Sequence, residues 1–484
     1  MKLTGLLFAA ALLGTCTQPA AEENYTRHVD PKIGTGGHGH VFVGANVPFG
    51  LVQVGPTSIP QTWDWCSGYH ASDSTVIGFS HTHLSGTGIG DLFDVTVMPV
   101  TGEVTYARGT EDDPTSGLWS YADRTQEIAR PGYYSVPLTR YGIRAELTAT
   151  ARVGLHRYTF PASDAAAVVF DLENGGCWDK ATETHLAKEG DRTVTGWRHS
   201  TGWAKDQRVY FAAEFSKPFE KFETIGDNYA RASFRTTDGE QVSLKVALSP
   251  VSVEGARENL AAELPGWDFE ETAKAADKAW NDELSKVKIE TEDETSKRIF
   301  YTALYHTMVA PSLFCDVNGD YYGSDHAIHR NADFTNYTTF SLWDTYRAAM
   351  PLMTVLHPEK MADIVQTMLT ISDEQGRLPV WHLWGNETDC MVGNPGIPVV
   401  ADAIVKGIGG FDREKAFEAI RKTAMNPDRG NGLRMEYGYI PCEMFNEAVA
   451  YDMEYALADG AAARAAETLG KAEDAKYFEE RSHS

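Results

Sequence analysis

The chain changes from strand-type to helix-type sequence near Pro265, and this change constrains the fold more than any other feature. Before Pro265, short runs of β-branched, aromatic and other apolar residues are separated by Gly, Asp or Pro, which is typical of antiparallel strands joined by turns. These runs are 93–100, 133–138, 143–150, 156–160, 167–172, 209–215 and 242–248. Many short strands of this kind predict an antiparallel β-sandwich.

Helix-type sequence begins just after this point. Thr272 to Lys286 is rich in Ala, Lys, Asp and Glu and predicts a helix that connects two domains. From about Glu294 onward, apolar residues recur with a helical period. The predicted helices are 296–308, 340–356, 358–373, 397–408, 413–425, 447–469 and 472–481. We therefore expect a multidomain β-then-α protein, in which an N-terminal antiparallel β-sandwich packs on a helical toroid.

The N-terminus predicts export. Met1-Lys2 is followed by an apolar run from Leu6 to Leu13, which is too short for a stable membrane span. Leu13-Gly14-Thr15-Cys16 also resembles a lipoprotein processing site with Cys16 as the lipidated residue, so simple secretion and a lipid anchor are both open. The predicted segments are a signal peptide at 1–21, a β-sandwich domain at 27–262, a connector at 263–292 and a helical domain at 293–484.

Charge and cysteine usage exclude several classes of partner and site. The formal net charge of −25 disfavours nucleic acid and anionic membrane surfaces as partners. Apart from Cys16, five widely spaced cysteines remain, and an odd number of this kind is not a disulfide framework. Because the chain has no CxxC pair, a structural zinc site built on cysteines is not expected.

One glutamate stands out as a candidate catalytic acid. Glu387 lies in the segment 378–391, which also contains Trp381, His382 and Trp384. An apolar, aromatic surrounding is expected to favour the protonated carboxyl group, which could then act as a general acid. Flat aromatic rings are also surfaces on which a sugar ring stacks. The alternative interpretation is a buried structural glutamate held by hydrogen bonds.

Other candidate residues lie in loops and at a helix start. The pairs His38/His40 and His81/His83 could each chelate a transition metal, but contacts to a sugar or to the neighbouring domain are the preferred interpretation. Near 343, Trp343 and Asp344 offer a ring face and a carboxylate acceptor to sugar hydroxyls. Asp344 could equally form a structural ion pair with Arg347, three residues later.

These features combine into a family resemblance that runs from about residue 27 to the end of the chain. The chain resembles the calcium-dependent exo-α-mannosidases of glycoside hydrolase family 92. The matching segments are 29–40, 47–50, 78–88, 131–134, 145–150, 156–158, 340–347, 378–381, 387–388, 391 and 401–403. Many ordered motifs match, so the resemblance is specific.

The resemblance implies a β-sandwich followed by an (α/α)6 barrel, with the active site between them. It implies hydrolysis of terminal α-mannose with inversion, which needs a general acid and a second carboxylate that activates water. Glu387 falls at the position of the family's general acid. The residues implied to bind substrate are Trp343, Asp344, His38, His40, His83, Trp65 and Thr388. Ca²⁺ is the implied cofactor, mannose-containing oligosaccharides are the implied partners, and an exported location at the periplasm or cell surface is expected.

The helical region is shorter than the resemblance implies. A full barrel has twelve helices, whereas about seven are predicted after the connector, so part of an (α/α)6 barrel is expected. On the resemblance, the general base and the main calcium ligands would lie beyond Ser484. Two interpretations follow, a fragment of an α-mannosidase or a mannose-binding lipoprotein without catalysis. A helical-toroid glucosidase is a third alternative, but it lacks the His-x-His motifs of the first domain.

Overall fold

The computed structural model describes residues 23–113, 115–175 and 178–484. The predicted signal segment with Cys16, and also Cys177, lie outside these residues. Within the described part, none of the helices is both long and apolar enough for a membrane span.

The first half of the described chain consists of antiparallel strands. The strands are β1 (Gly55–Thr57), β2 (Thr75–Val76), β3 (Gly78–Ser80), β4 (Thr96–Thr101), β5 (Ser120–Tyr121), β6 (Ile128–Arg130), β7 (Tyr133–Leu138), β8 (Ile143–Ala149), β9 (Val153–Phe160), β10 (Ser163–Asp171), β11 (Lys180–Glu189), β12 (Thr193–Thr201), β13 (Gln207–Phe215), β14 (Lys221–Ile225), β15 (Tyr229–Thr236) and β16 (Glu240–Ser249). An eight-stranded sheet has the order β11-β12-β13-β16-β9-β8-β7-β6, and a six-stranded sheet has the order β1-β3-β4-β10-β15-β14. The predicted β-sandwich is confirmed.

The sandwich forms because apolar side chains alternate along its strands and share one interior. On β8, Ile143, Ala145 and Leu147 are buried, whereas Arg144 and Glu146 between them are partly exposed. Side chains two apart lie on one face of a strand, so this alternation buries one face of the sheet and leaves the other in water.

The second half is mainly helical, as predicted. The helices are α1 (Val253–Glu263), α2 (Phe269–Leu284), α3 (Glu294–His306), α4 (Leu342–Thr345), α5 (Ala349–Leu356), α6 (Pro358–Gln375), α7 (Gly396–Val405), α8 (Arg413–Ala424), α9 (Asn431–Tyr437), α10 (Ala448–Thr468) and α11 (Ala472–Ser482). Short strands stand between α3 and α7: β17 (Ser312–Leu313), β18 (Tyr321–Tyr322), β19 (Ile328–His329), β20 (Tyr337–Thr338), β21 (Phe340–Ser341), β22 (Trp381–Leu383) and β23 (Asn386–Glu387). Most helices pack around a second core, separate from that of the sandwich.

The prediction of one helix over 340–356 is wrong. The segment begins as β21, which pairs with β22, continues as the single turn α4, and restarts as a helix at Ala349. Pro351 explains the restart, because proline has no N–H for an i→i−4 bond and fits best in the first turn of a helix. The break places Trp343 and Asp344 on a short turn beside the β21–β22–β23 sheet.

Candidate active site at the domain junction

Glu387 lies on a tight hairpin that joins the two domains. β22 and β23 are connected by Trp384-Gly385, and both residues have positive φ, 48° and 78°. A two-residue turn with φ > 0 at both positions matches the right-handed twist of the strands. Trp381, Leu383 and Trp384 of this hairpin belong to the core of the β-sandwich, although they lie in the helical half of the sequence.

The carboxyl group of Glu387 is held by N–H donors. The backbone N–H of Val380 donates to Oε2 at 2.8 Å, and those of Trp381 and Asp389 donate to Oε1 at 2.9 and 3.0 Å. The amide Nε2 of Gln375 lies 3.4 Å from Oε2. The expected apolar surrounding of this carboxyl group is therefore corrected, because these donors are polar.

The nearby tryptophan rings pack elsewhere. Trp384 is buried and packs against Phe314 with ring centroids 5.1 Å apart. Trp381 packs against Trp203 of the sandwich domain at 4.4 Å. These rings fix the hairpin in place, and the hydrogen bonds then fix the orientation of the carboxyl group of Glu387.

A reciprocal pair of hydrogen bonds fastens the hairpin to the sandwich. The backbone N–H of Asp206 donates to Oδ1 of Asn386 at 3.0 Å, and Nδ2 of Asn386 donates to the carbonyl of Asp206 at 2.9 Å. The loop before Asp206 is itself held by Asp91, whose Oδ2 accepts from the backbone N–H groups of Trp203 and Ala204. Asn386, the residue before Glu387, thus links the hairpin directly to the first domain.

Trp343 and Asp344 lie at the start of the neighbouring helical turn. Asp344 is exposed and accepts a hydrogen bond from the hydroxyl of Ser341 at 2.6 Å. Arg347 pairs with Glu454 on α10 at 2.5 Å, so of the two alternatives for Asp344 the ion pair with Arg347 does not form. The carboxylate of Asp344 therefore faces solvent, where a sugar hydroxyl could reach it.

The predicted residues of the first domain fall into two environments. His38 and His40 surround Asp64, with ring nitrogens 2.9 and 3.5 Å from its Oδ1, and His40 packs edge-on against Trp63 at 4.3 Å. Trp63 is 48% exposed and forms a ring surface beside these polar groups. An aromatic face next to a carboxylate and imidazoles is chemically suited to sugar hydroxyls.

The other predicted residues are more enclosed. His83 is buried, its Nδ1 lies 2.7 Å from the carbonyl of Gln53, and its ring packs near Phe42 and Phe93. Trp65 donates from Nε1 to Asp73 at 2.7 Å and stacks on His70. Thr388 donates to the carbonyl of Trp381 at 2.9 Å.

The structure brings some predicted residues together and leaves others apart. The β21–β22–β23 sheet and the turn α4, which follows β21, bring together Glu387, Thr388, Trp343 and Asp344. His38 and His40 lie in the first domain, around Asp64 and Trp63. Sequence reasoning missed the polar groups that organise the site: Asn386, Asp206, Asp91 and Gln375. The sequence contains a signal for two of them: Asn386 immediately precedes Glu387, and Gln375 is the last residue of α6, the helix before the hairpin.

A calcium site does not emerge from the described residues. Among the residues that the structure describes, one group of His, Asp and Glu side chains converges closely enough to hold an ion, and it consists of Asp325, His329 and Glu374. Ca²⁺ prefers six to eight oxygen ligands, whereas this group offers one imidazole nitrogen and two carboxylates. The donor set does not fit Ca²⁺.

Comparisons with known proteins give one consistent result. Residues 28–249 match the model of the glycosyl hydrolase family 92 N-terminal domain, and residues 255–484 match that of the family 92 catalytic domain. A family GH92 α-mannosidase from Bacteroides thetaiotaomicron, solved in complex with mannoimidazole, is 39% identical with a TM-score of 0.91. The match covers 95% of this chain and 63% of that chain.

Two further relatives agree. A family GH92 inverting mannosidase from Bacteroides thetaiotaomicron is 28% identical with a TM-score of 0.86, over 95% of this chain and 64% of that chain. A protein of Arthroderma benhamiae, described as an uncharacterized secreted glycosidase, is 26% identical over 95% of this chain and 61% of its own length. The chain thus spans less than two thirds of the length of each of these relatives.

Proposed function

Because this chain belongs to glycosyl hydrolase family 92, we propose that it is an exported α-mannosidase. It removes terminal α-linked mannose, with α-1,2 linkages preferred, from mannans or N-glycans with inversion. The observation that carries this proposal is the position of Glu387 on a rigid hairpin at the junction of the two domains. Structural relatives described as α-mannosidases and as an inverting mannosidase support the substrate class.

In this proposal Glu387 is the general acid. It donates its proton to the glycosidic oxygen as the bond to the sugar breaks, while water attacks from the opposite face. The three backbone N–H groups and Gln375 hold the carboxyl group in one orientation, which reduces the ordering needed to reach the transition state. Inversion also requires a second carboxylate that activates water.

The substrate contacts are proposed on the same basis. Trp343 and Asp344 lie beside the Glu387 hairpin, where a ring face and an exposed carboxylate suit a mannose ring and its hydroxyls. The proposed substrate contacts from the first domain are His38, His40, His83 and Trp65, and Thr388 is the proposed contact next to Glu387. Thr388 also donates to the carbonyl of Trp381, and His83 lies in the interior of its domain.

The proposal includes a calcium requirement, which rests on the family resemblance, and export, which rests on the N-terminal sequence. If calcium is required, EDTA abolishes mannosidase activity and added Ca²⁺ restores it; activity unchanged by EDTA would remove calcium from the account. The secreted glycosidase among the relatives supports export. Mass spectrometry of the exported protein distinguishes simple cleavage from lipidation at Cys16.

The direct test of the reaction is the anomer that is released. NMR during hydrolysis of α-1,2-mannobiose is expected to show β-mannose first, since inversion converts the α-linkage to a β-hydroxyl. Initial release of α-mannose would contradict inversion, and absence of hydrolysis with mannose-dependent binding would favour the alternative, a mannose-binding lipoprotein. That alternative is not favoured, because residues 255–484 match the catalytic domain of the family.

A further inference from the structure

The backbone just after Glu387 adopts an unusual conformation. Asp389 has φ 54° and Met391 has φ 76°, so both lie in the left-handed region that residues with a side chain rarely adopt. Asp389 is also one of the residues that hold the proposed acid, because its backbone N–H donates to Oε1 of Glu387 at 3.0 Å. A strained residue next to a proposed catalytic group calls for a structural cause that keeps it in place.

Both flanks of this turn are anchored. On the N-terminal side, the backbone N–H and the hydroxyl of Thr388 both donate to one carbonyl of β22, at 3.0 and 2.9 Å. On the C-terminal side, Arg429 donates to two backbone carbonyls within 391–393. With both flanks fixed, a different φ at Asp389 requires rotation of the peptide that joins it to Thr388. That peptide carries the N–H that binds Glu387, so the conformation of Asp389 and this hydrogen bond change together.

The side chain of Asp389 is held by two arginines. Its Oδ1 accepts a hydrogen bond from Arg377, which lies between α6 and β22, and Nε of Arg429, which lies between α8 and α9, is 3.4 Å from the same oxygen. The side chains of Arg377 and Arg429 are only 12% and 11% exposed. Two enclosed cations side by side are unfavourable unless an anion offsets their charge, so the carboxylate of Asp389 is fixed at this point.

We propose that Asp389 is a positioning residue for the general acid. Its left-handed backbone presents an N–H to Glu387, and its carboxylate, bound by Arg377 and Arg429, keeps the backbone in that conformation. Aspartate suits both tasks, because Asp and Asn adopt the left-handed conformation more readily than other residues with a side chain. This role rests on the proposed function, in which Glu387 is the acid, and Asp389 acts through Glu387 without touching the sugar.

Three substitutions at this position separate the backbone from the side chain. Asp389→Asn keeps access to the left-handed conformation and an oxygen acceptor for the arginines. Asp389→Gly keeps the conformation accessible but removes the acceptor, and Asp389→Ala removes both. The kcat on α-1,2-mannobiose should therefore fall in the order Asp389→Asn, Asp389→Gly, Asp389→Ala, with a loss of roughly tenfold or more for Asp389→Ala. KM should change little, because the sugar is not contacted.

A second substrate distinguishes positioning of the acid from a general structural defect. On a dinitrophenyl α-mannoside, whose leaving group departs without a proton, Asp389→Ala should keep most of the activity of the unsubstituted protein. Equal losses on both substrates would show a structural role only and overturn the proposal. The matched control is Asp282→Ala, because Asp282 is 54% exposed and pairs with Lys278 on α2 at 2.6 Å. Its activity on both substrates should equal that of the unsubstituted protein.

Glu387→Gln, measured beside these variants, separates the two proposals. If Glu387→Gln loses activity only on α-1,2-mannobiose and Asp389→Ala does not, the acid stands and the role of Asp389 is wrong. If Glu387→Gln loses equally on both substrates, the acid assignment and the role of Asp389 both fail.

Crystal structures of the variants test the geometry without an activity measurement. In Asp389→Ala, φ at position 389 should become negative and the N–H of this residue should leave Oε1 of Glu387. In Asp389→Asn, the positive φ and the hydrogen bond should both remain. A positive φ and an intact hydrogen bond in Asp389→Ala would overturn the proposal, because the side chain would then not be what holds the backbone.

Discussion

At the scale of single residues, the junction between the domains depends on Asn386. Its side chain forms the pair of hydrogen bonds that a neighbouring strand would form. It accepts from the N–H of Asp206 and donates to the carbonyl of the same residue. Asn386 is 4% exposed, so loss of its amide leaves two backbone groups of Asp206 without these partners in a mostly buried contact.

Asn386→Ala is therefore expected to reduce both stability and catalysis. Three hydrogen bonds are lost, two with Asp206 and one from Nδ2 to the carbonyl of Trp384 at 2.8 Å, and the free energy of unfolding should fall by about 1–3 kcal/mol. Urea denaturation measures this loss, and kcat should fall with it because Glu387 is the next residue. The control is Asn446→Ala, since Asn446 is exposed. Equal stability of the two variants would contradict the role of Asn386.

Single residues also show which features of the candidate site the sequence could predict and which it could not. The sequence indicates Glu387 as a site residue through its neighbours in the chain, and Asp344 through its place beside Trp343. The donors to Glu387 could not be predicted, because the N–H groups of Val380 and Asp389 converge on it only once the Trp384-Gly385 turn has formed. The sequence predicts the side chains of Trp381 and Trp384 around the carboxyl group, but in the structure each packs on a partner distant in sequence.

At the scale of elements, a buried ion network joins the two sheets of the sandwich. Arg198 on β12 donates to Asp94 and Asp179, each at 2.7 Å, and the side chains of all three are 0% exposed. Asp94 also accepts from Gln207 at 2.5 Å. Breaking such a network leaves unpaired charge in the interior, which is far more costly than leaving it at the surface.

Arg198→Met is expected to lower the free energy of unfolding by about 3–5 kcal/mol, because two buried carboxylates lose their cation. The control is Arg464→Met, which removes an exposed pair with Glu467 at 2.8 Å. Its cost should not exceed about 0.5 kcal/mol. Similar unfolding midpoints for the two variants in urea would disprove the structural role of Arg198.

A second buried network makes the sandwich sensitive to acid. Nδ1 of His81 donates to the carbonyl of Val95, so its Nε2 accepts from His156, whose Nδ1 in turn accepts from the hydroxyl of Tyr158. Burial lowers the pKa of His81 to about 4 and holds the pKa of His156 well below its usual value. Both rings are therefore neutral in the folded protein at neutral pH.

The sign of the pH dependence follows from these lowered values. The unfolded chain binds protons near pH 6.5 and the folded chain does not, so stability is complete above pH 6.5 and falls as pH drops toward 4. The loss attributable to His81 is on the order of 3 kcal/mol. Urea denaturation at several pH values measures it. His156→Gln should reduce the drop, and an unchanged drop would assign it to other groups.

Element prediction succeeded where packing follows a simple period. β7 (Tyr133–Leu138) is predicted at its observed bounds, because its apolar residues are bounded by turn signals. β11 (Lys180–Glu189) was missed, since it is an edge strand with few apolar residues and gains its conformation from pairing with β12. Long-range pairing of this kind leaves little trace in the local sequence.

At the scale of the whole molecule, one helix exposes an apolar stripe. Val449, Met453 and Leu457 recur every four residues on α10 and are 70%, 69% and 43% exposed. Residues four apart lie on one face of a helix. Contiguous apolar surface of this kind promotes association.

The stripe predicts that the 484-residue chain self-associates. Val449→Lys combined with Met453→Lys should shift the protein toward the monomer in analytical ultracentrifugation, because charged side chains disfavour burial of this face. A control pair of substitutions is Glu473→Lys with Lys476→Glu on the exposed face of α11. A monodisperse monomer before any substitution would contradict the prediction.

The central claim is that Glu387, fixed at the domain junction, protonates the departing sugar oxygen. Glu387→Gln should lower kcat on α-1,2-mannobiose about 10²–10⁴-fold, because its leaving group needs a proton. The same variant should keep most of its activity on a dinitrophenyl α-mannoside, whose leaving group departs without one. Glu473→Gln, at an exposed position on α11, should match the unsubstituted protein on both substrates. Equal losses on the two substrates, or no loss on either, would contradict the assignment.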